Sequence, residues 1–385
     1  MSLNPHGEGR REVAIPGEGP GRETGRRPAR QAFTLLELLV AATITAAIGG
    51  FIVILVANVA GVWTRTSNRL TADAQARYLL EQLALDLSAA QFRDDGNVWL
   101  AASVLDATGN SGFWQPAAAN GKPGGGLSLA MAAPNLADAR FGVAGVWLRL
   151  FTTRRGANDA TNATTAVATA SAPVAVGYQI VRHFSAASPL NLATSYQLHR
   201  AEVRPAATGS PARPGVIETG YDLSSGAYNP GEATADGTAG AGDPATLKIP
   251  GAAHDQGSVI GSNVIDFGVR CYVRDATQAS GLRLVFPASN ATGAPANSAA
   301  ASLAGRLPPN TPATAANFNQ VFPDVVDVMV RILTEDGARL IALYEQAGTP
   351  LTPPAGVNAQ QYWWQLAMSH SQVFTRRIVI HASSL

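Results

Sequence analysis

The sequence predicts an α+β fold: one long N-terminal helix packed on an antiparallel, β-rich domain that carries long loop insertions. Three observations predict it. No charged residue occurs from Leu38 to Trp63. Beyond that run, Ala72, Ala76, Leu79, Leu80, Leu83, Leu87 and Ala90 recur at helical spacing along one stripe. Thereafter, short β-branched and aromatic runs alternate with Ala/Gly/Pro/Asn/Thr stretches. The resulting division is a leader over 1–32, an apolar half-helix over 33–63, an amphipathic half-helix over 64–96, and a β-rich domain over 97–385.

The leader mixes Gly, Pro and charge without apolar periodicity, which predicts disorder. Arg22, Arg26, Arg27 and Arg30 stand just before the apolar run, against the single acid Glu23. The run itself spans ~39 Å as a helix, and a bilayer core is about 30 Å thick. It is therefore expected to cross a membrane once. The arginines hold the cytoplasmic side, and everything after Trp63 is expected in the periplasm. A cleavable secretory signal fits poorly. Its apolar region would be shorter, and Val56-Ala-Asn-Val-Ala60 lacks small residues at both positions such a site requires.

A plain membrane anchor leaves one residue unexplained. Glu37 lies in Phe33-Thr-Leu-Leu-Glu37-Leu-Leu-Val40, at the start of the span. A carboxylate costs roughly 2.5–3.5 kcal/mol at the centre of a spanning helix and less near its end. Such a residue calls for a partner. A cut after Ala32 would supply one, because Phe33 would gain a positive α-amine within reach. The acid then becomes a registration signal for assembly, within one chain or between neighbours.

The segment Arg30-Gln-Ala-Phe33-Thr34-Leu35-Leu36-Glu37-Leu38-Leu39-Val40 resembles the type IV prepilin cleavage and methylation motif. The resemblance implies processing between Ala32 and Phe33 by a prepilin peptidase, N-methylation of Phe33, and Glu37 as the fifth mature residue. The chain departs from the motif at Ala32, where the family prefers Gly. Tyr178-Gln-Ile-Val181, Tyr196-Gln-Leu-His-Arg200, Ser262-Asn-Val-Ile-Asp-Phe267, Tyr272-Val-Arg-Asp275, Pro323-Asp-Val-Val-Asp-Val328 and Phe374-Thr-Arg-Arg-Ile-Val-Ile380 resemble, in order, segments of the J-type minor pseudopilin of type II secretion. The length and loop content also resemble a prepilin-like group of the Verrucomicrobia, the Verru_Chthon cassette protein C family. These resemblances imply a structural subunit of a secretion or pilus-like filament. Its partners would be the peptidase, other pilin or pseudopilin subunits and the inner membrane. An adhesive or binding minor pilin is the alternative, and a membrane-anchored periplasmic enzyme a more distant one.

Further along, no proline interrupts Phe33 to Phe92, so one helix is expected over that range, closed by turn residues at Asp94-Asp-Gly-Asn97. Strands are expected at Leu127–Ala132, Val146–Thr153, Val174–Phe184, Ser195–Arg204, Val264–Arg274, Leu282–Phe286, Val325–Leu333, Arg339–Tyr344 and Gln372–His381. Thr334-Glu-Asp-Gly337 reads as a hairpin turn before the penultimate of these. Loop insertions fall near 106–125, 155–172, 205–256, 288–322 and 346–360. Tyr362-Trp363-Trp364 reads as a strand segment anchoring a core or interface, ahead of a glycan site. Arg376-Arg377 reads as a solvated strand edge.

Composition excludes several functions. A net charge of +1 with 14% charged residues offers no field for nucleic acid. Of 28 basic residues only Lys122 and Lys248 are lysine. The single cysteine, Cys271, forbids an intrachain disulfide and fits a buried strand position. Asp94-Asp95 beside Gly96 reads as a turn rather than a cation loop, since no EF-hand spacing follows. Gly121-Lys122-Pro123 lacks the phosphate-loop spacing, and Gly237-Thr-Ala-Gly240-Ala-Gly242 lacks a strand-to-helix context. No Gly-x-Ser-x-Gly elbow occurs. His6, His183, His199, His254, His370 and His381 show no metal-ligand spacing. No catalytic residue, cofactor or metal is expected.

Overall fold

The proline-free stretch after Phe33 forms one unbroken helix, α1, from Leu35 to Ser88. The computed structural model describes residues 34–104, 130–142, 145–153, 173–184, 194–205, 216–217, 221–224, 259–298, 300–345, 351–381 and 383–384. The leader, Ala32 and Phe33 lie outside the described residues. So do most of the insertions expected at 106–125, 155–172 and 205–256. The chain forms two compact units, Met1–Val62 and Trp63–Leu385, and α1 contributes to both.

Helix α1 ends four residues earlier than its apolar pattern predicts. The Thr153 N–H bonds the Ala89 carbonyl, and Ala90 bridges Thr152. Sheet pairing thus takes the backbone that a further helical turn would need. Gln91–Phe92 then form β1. The expected turn follows: Gly96 adopts φ 79°, and the Asn97 N–H donates to Asp95 Oδ1 at 3.0 Å.

The remaining strands are β2 (Leu100–Val104), β3 (Val146–Thr153), β4 (Pro173–Phe184), β5 (Thr194–Pro205), β6 (Val216–Ile217), β7 (Val259–Ser262), β8 (Val264–Arg274), β9 (Leu282–Phe286), β10 (Ser302–Gly305), β11 (Val325–Leu333), β12 (Ser371–Val379) and β13 (Ser383–Ser384). One sheet runs β10-β2-β3-β4-β5-β6, with β7 also pairing β5; a second runs β12-β11-β8-β9. Pairing is antiparallel except at β1–β13 and β5–β6. The chain passes from the first sheet to the second between β7 and β8, at Asn263. Its φ of 59° is one that asparagine tolerates better than most residues.

Three expectations near the C-terminus are corrected. Thr334-Glu-Asp-Gly337 is not a hairpin turn, and Arg339–Tyr344 is not a strand. Together they form helix α2, Glu335–Glu345. Thr334 Oγ1 accepts the Gly337 N–H at 3.1 Å, and Glu335 and Asp336 fill the first turn, where acids favour a helix. Gly337, Ile341 and Tyr344 are buried at helical spacing, a period the strand reading ignored. Gly337 is needed for close approach, because a Cβ there would lie 2.6 Å from His370 Cβ. Likewise Tyr362-Trp363-Trp364 lies on helix α3, Ala359–Ser369, not on a strand. Asn358 and Gln361 form its capping box. Of the Leu127–Ala132 strand, 127–129 lie outside the described residues, and Ala130–Ala132 are not strand.

The central strands of the second sheet, β8 and β11, are buried on both faces. Arg376 of β12 lies opposite Val328 and donates to the Leu80 carbonyl of α1 at 3.4 Å, which marks the helix-facing side. The other face bears Asp266, Gly268 and Arg270, and it is covered by residues 130–141. The polar side chains of β8 on this face bind the backbone of the covering segment. Arg270 donates to the carbonyls of Met131 (2.7 Å), Pro134 (3.2 Å) and Ala133. Asp266 accepts the Phe141 N–H at 3.2 Å. Arg331 of β11 reaches the Ala137 carbonyl at 3.4 Å.

Gly268 makes room for the Phe141 ring, since a Cβ there would stand 2.0 Å from Phe141 Cδ2. Gly268→Ala is therefore expected to destabilise the domain by roughly 1–3 kcal/mol. Phe141→Leu in the same chain should recover part of that loss. Additive effects in thermal unfolding would refute the contact as the cause. Cys271 is buried as expected, on the helix-facing side of β8.

Candidate functional site

The apolar half of α1 is long and apolar enough to cross a membrane. Its large side chains are open along the whole length, from Leu35 at 83% exposed to Trp63 at 76%. Contiguous exposed apolar surface of this extent is rare on monomeric soluble proteins.

Thr34 and Glu37 close the start of this helix. Glu37 Oε2 accepts the Thr34 N–H at 2.9 Å and the Thr34 hydroxyl at 3.1 Å. In return, the Glu37 N–H donates to Thr34 Oγ1 at 3.2 Å. This is a capping box, in which residues three apart satisfy each other's orphan groups. The sequence reading gave Glu37 a charge partner and overlooked this one, although Thr-x-x-Glu ahead of an apolar run is the box's signature. The box holds the carboxylate against the first helical turn, with its oxygen on the amide that follows Phe33. Ala32 and Phe33 themselves lie outside the described residues.

Beyond the span, α1 buries Ala72, Ala76, Leu79, Leu80, Leu83 and Leu87, the stripe expected from spacing. Its last turn carries an unexpected acid. A carboxylate at a helix C-terminus opposes the macrodipole, so Asp86 needs compensation. Arg200 of β5 supplies it, with Nε 2.7 Å and Nη2 3.2 Å from the two Asp86 oxygens. Tyr178 of β4, directly opposite Arg200 in register, donates its hydroxyl to Asp86 Oδ2. Thr152 of β3 donates to the Asp86 carbonyl at 2.9 Å. Burial works to lower the Arg200 pKa, but Asp86 outweighs it and drives the pKa up. Burial and Asp86 together raise that of Tyr178. Thus three strands of the first sheet grip one helix residue. A helix-periodic acid between Leu83 and Leu87 was the sequence signal for it.

The residues weighed for other chemistry are dispersed. His199 is buried on β5, His370 caps α3, and His381 is exposed past β12. His183 lies on β4. His6 and His254, Lys122, Lys248 and both glycine-rich stretches lie outside the described residues. Among the described residues, no group of three or more His, Cys, Asp or Glu side chains could hold a metal. Trp363 and Trp364 are core residues; Trp363 donates Nε1–H to Glu345 Oε1 at 2.7 Å. Arg377 sits on the edge strand β12 and pairs with Asp327 at 2.7 Å.

No family model, no curated protein and no solved structure matches this chain.

Proposed function

We propose that this chain is a minor-pseudopilin-like structural subunit of a type II secretion or type IV pilus-like filament. A prepilin peptidase processes it between Ala32 and Phe33, and Phe33 is then N-methylated. It spans the inner membrane once, with the β-rich domain in the periplasm and other pilin-type subunits as its partners. The observation that carries this reading is Glu37. It is an acid at the start of an otherwise charge-free helix, fixed by Thr34 beside the position that cleavage would turn into an amine. Neutralisation by that amine would offset the cost of an acid in lipid. The uncovered apolar half of α1 supports membrane insertion and filament packing alike. The double-sheet domain on the amphipathic half supports the subunit architecture that the motif implies.

Mass spectrometry of the chain purified from membranes tests the proposal. The expected N-terminus is methylated Phe33; an intact Met1 or Ser2 start overturns it. The capping box adds a sharper test of Glu37. Glu37→Gln keeps a box-competent side chain and loses only the charge. Membrane insertion should survive in both Glu37→Gln and Glu37→Ala, and filament incorporation should fail in both. Normal incorporation of Glu37→Gln would mean that capping alone suffices and would remove the registration role.

A further inference from the structure

Helix α1 sets how far each part of the β-rich domain stands from the end of the apolar run. That run closes at Trp63. Beyond it, Asn68 Nδ2 donates to Asp336 Oδ2 at 3.4 Å, and Gln75 Nε2 to the Ser262 carbonyl at 2.6 Å. Arg376 reaches the Leu80 carbonyl only further along. The end of the second sheet where β8 starts, β11 stops and β12 starts is therefore the end nearest Trp63. The first turn of α2 belongs to it. So does the last turn of α3, because the Thr334 N–H donates to the His370 carbonyl at 2.8 Å. At 1.5 Å per residue, Asn68 is about 7.5 Å past Trp63 along the helix. The polar layer on each side of a bilayer core is about 5–8 Å deep. With Trp63 at the edge of the hydrocarbon, where tryptophan is favoured, Asp336 stands at headgroup height.

The surface of this end suits that position. Among the described residues, Met368 and Val379 are the only large apolar side chains outside α1 that stand exposed. Met368, 51% exposed, lies in the last turn of α3, two residues before His370. Glu335 and Asp336 of α2 and Arg69 of α1 are exposed at the same end. An apolar side chain accompanied by charges of both signs matches the boundary between acyl chains and headgroups. The signs also select the headgroup. Carboxylates suit a primary ammonium and a guanidinium suits a phosphate, so a zwitterionic lipid with both satisfies the set. Long side chains on a helix lean toward its N-terminus, which for Arg69 is toward the bilayer. A purely anionic headgroup would set like charge against Glu335 and Asp336.

We propose that this end of the domain docks on the membrane that α1 crosses. Met368 enters the interface, Glu335 and Asp336 meet the ammonium groups of phosphatidylethanolamine-type lipid, and Arg69 meets its phosphates. The proposal rests on the single-span reading of α1, since that span brings the surface to the bilayer.

The test uses the full-length chain in vesicles whose lipids include some with a nitroxide on the headgroup. A fluorophore is placed on Ser369→Cys or, as the distant control, on Val379→Cys, about 26 Å away along β12. Native Cys271 is buried and takes no label. In phosphatidylethanolamine vesicles the Ser369 label should be quenched several-fold more than the Val379 label. Equal quenching overturns the proposal. Met368→Asp should bring quenching at Ser369 down to the control level, and an unchanged value overturns the proposal too. Replacing phosphatidylethanolamine by phosphatidylglycerol should lower the docked fraction on the order of tenfold. Glu335→Gln with Asp336→Asn should abolish that loss. Quenching as strong in phosphatidylglycerol as in phosphatidylethanolamine refutes the match to a zwitterionic lipid. Flotation of the same vesicles reports insertion separately. A chain that floats with equal quenching at both labels sinks the docking alone, whereas a chain that does not float sinks the single-span reading with it.

Discussion

Asp86→Ala is expected to lower the stability of the β-rich unit by roughly 3–5 kcal/mol, the range for removing one partner of a buried ion pair. The substitution leaves Arg200 charged and largely buried; its side chain is 18% exposed and that of Asp86 10%. Glu202, 3.0 Å from Arg200 Nη1, is the acid that remains nearby. Tyr178, itself fully buried, also loses its acceptor. Thermal and denaturant unfolding of the detergent-solubilised chain measure the effect. Asp86→Leu with Arg200→Met removes both charges and should recover most of the loss, as apolar replacement of a whole buried pair often does. A loss below about 1 kcal/mol for Asp86→Ala would mean that solvent reaches the pair and screens it. The placement matters beyond stability. Asp86 ties the last turn of α1 to the first sheet, beside the contacts made by the buried stripe.

The long helix was legible because its evidence is local and redundant: no proline, no charge for a membrane's width, then a stripe of matching period. The strands at Val146–Thr153, Val264–Arg274, Leu282–Phe286 and Val325–Leu333 were read to the residue. Each is a run rich in aliphatic, β-branched or aromatic residues. The misses share a different cause. β2, Leu-Ala-Ala-Ser-Val, and β10, Ser-Leu-Ala-Gly, carry little intrinsic strand preference. They are strands because they pair with each other and because β2 also pairs with β3. Asp336-Gly337 suits a hairpin turn by local propensity, yet the burial of Ile341 and Tyr344 and the Thr334 cap decide for a helix. At the candidate site, the Thr34–Glu37 box was written in the sequence and was obscured by the charge argument for the same residue. The Asp86 grip needed the structure. Periodicity shows which side of a helix is polar, but not which polar residues find partners across the fold.

Asp266 yields the second large effect, and its sign is opposite to ordinary acid denaturation. The carboxyl is fully buried on β8, and burial pushes its pKa from 3.8 up to about 7. Arg331, the Phe141 N–H, Arg140 and the Phe267 N–H oppose that shift without cancelling it. A raised folded-state pKa means that the folded chain holds this proton more tightly than the unfolded chain does. Between about pH 4 and 7 the native state therefore carries more protons, and stability falls as pH rises through that window. The whole penalty is present above about pH 7, on the order of 4 kcal/mol from the shift. Acidification toward pH 4 relieves it. Asp266→Asn keeps an acceptor for the Phe141 amide and removes the titration. It is expected to be more stable than the natural chain at pH 8 by a few kcal/mol and close to it at pH 4. Denaturant unfolding of both chains across that range isolates the difference from every other titrating group. A difference that stays constant from pH 4 to 8 would place the proton elsewhere. The placement matters because the segment Asp266 holds through Phe141 covers the β8 and β11 part of one face of the second sheet. Acidification would tighten that cover rather than loosen it.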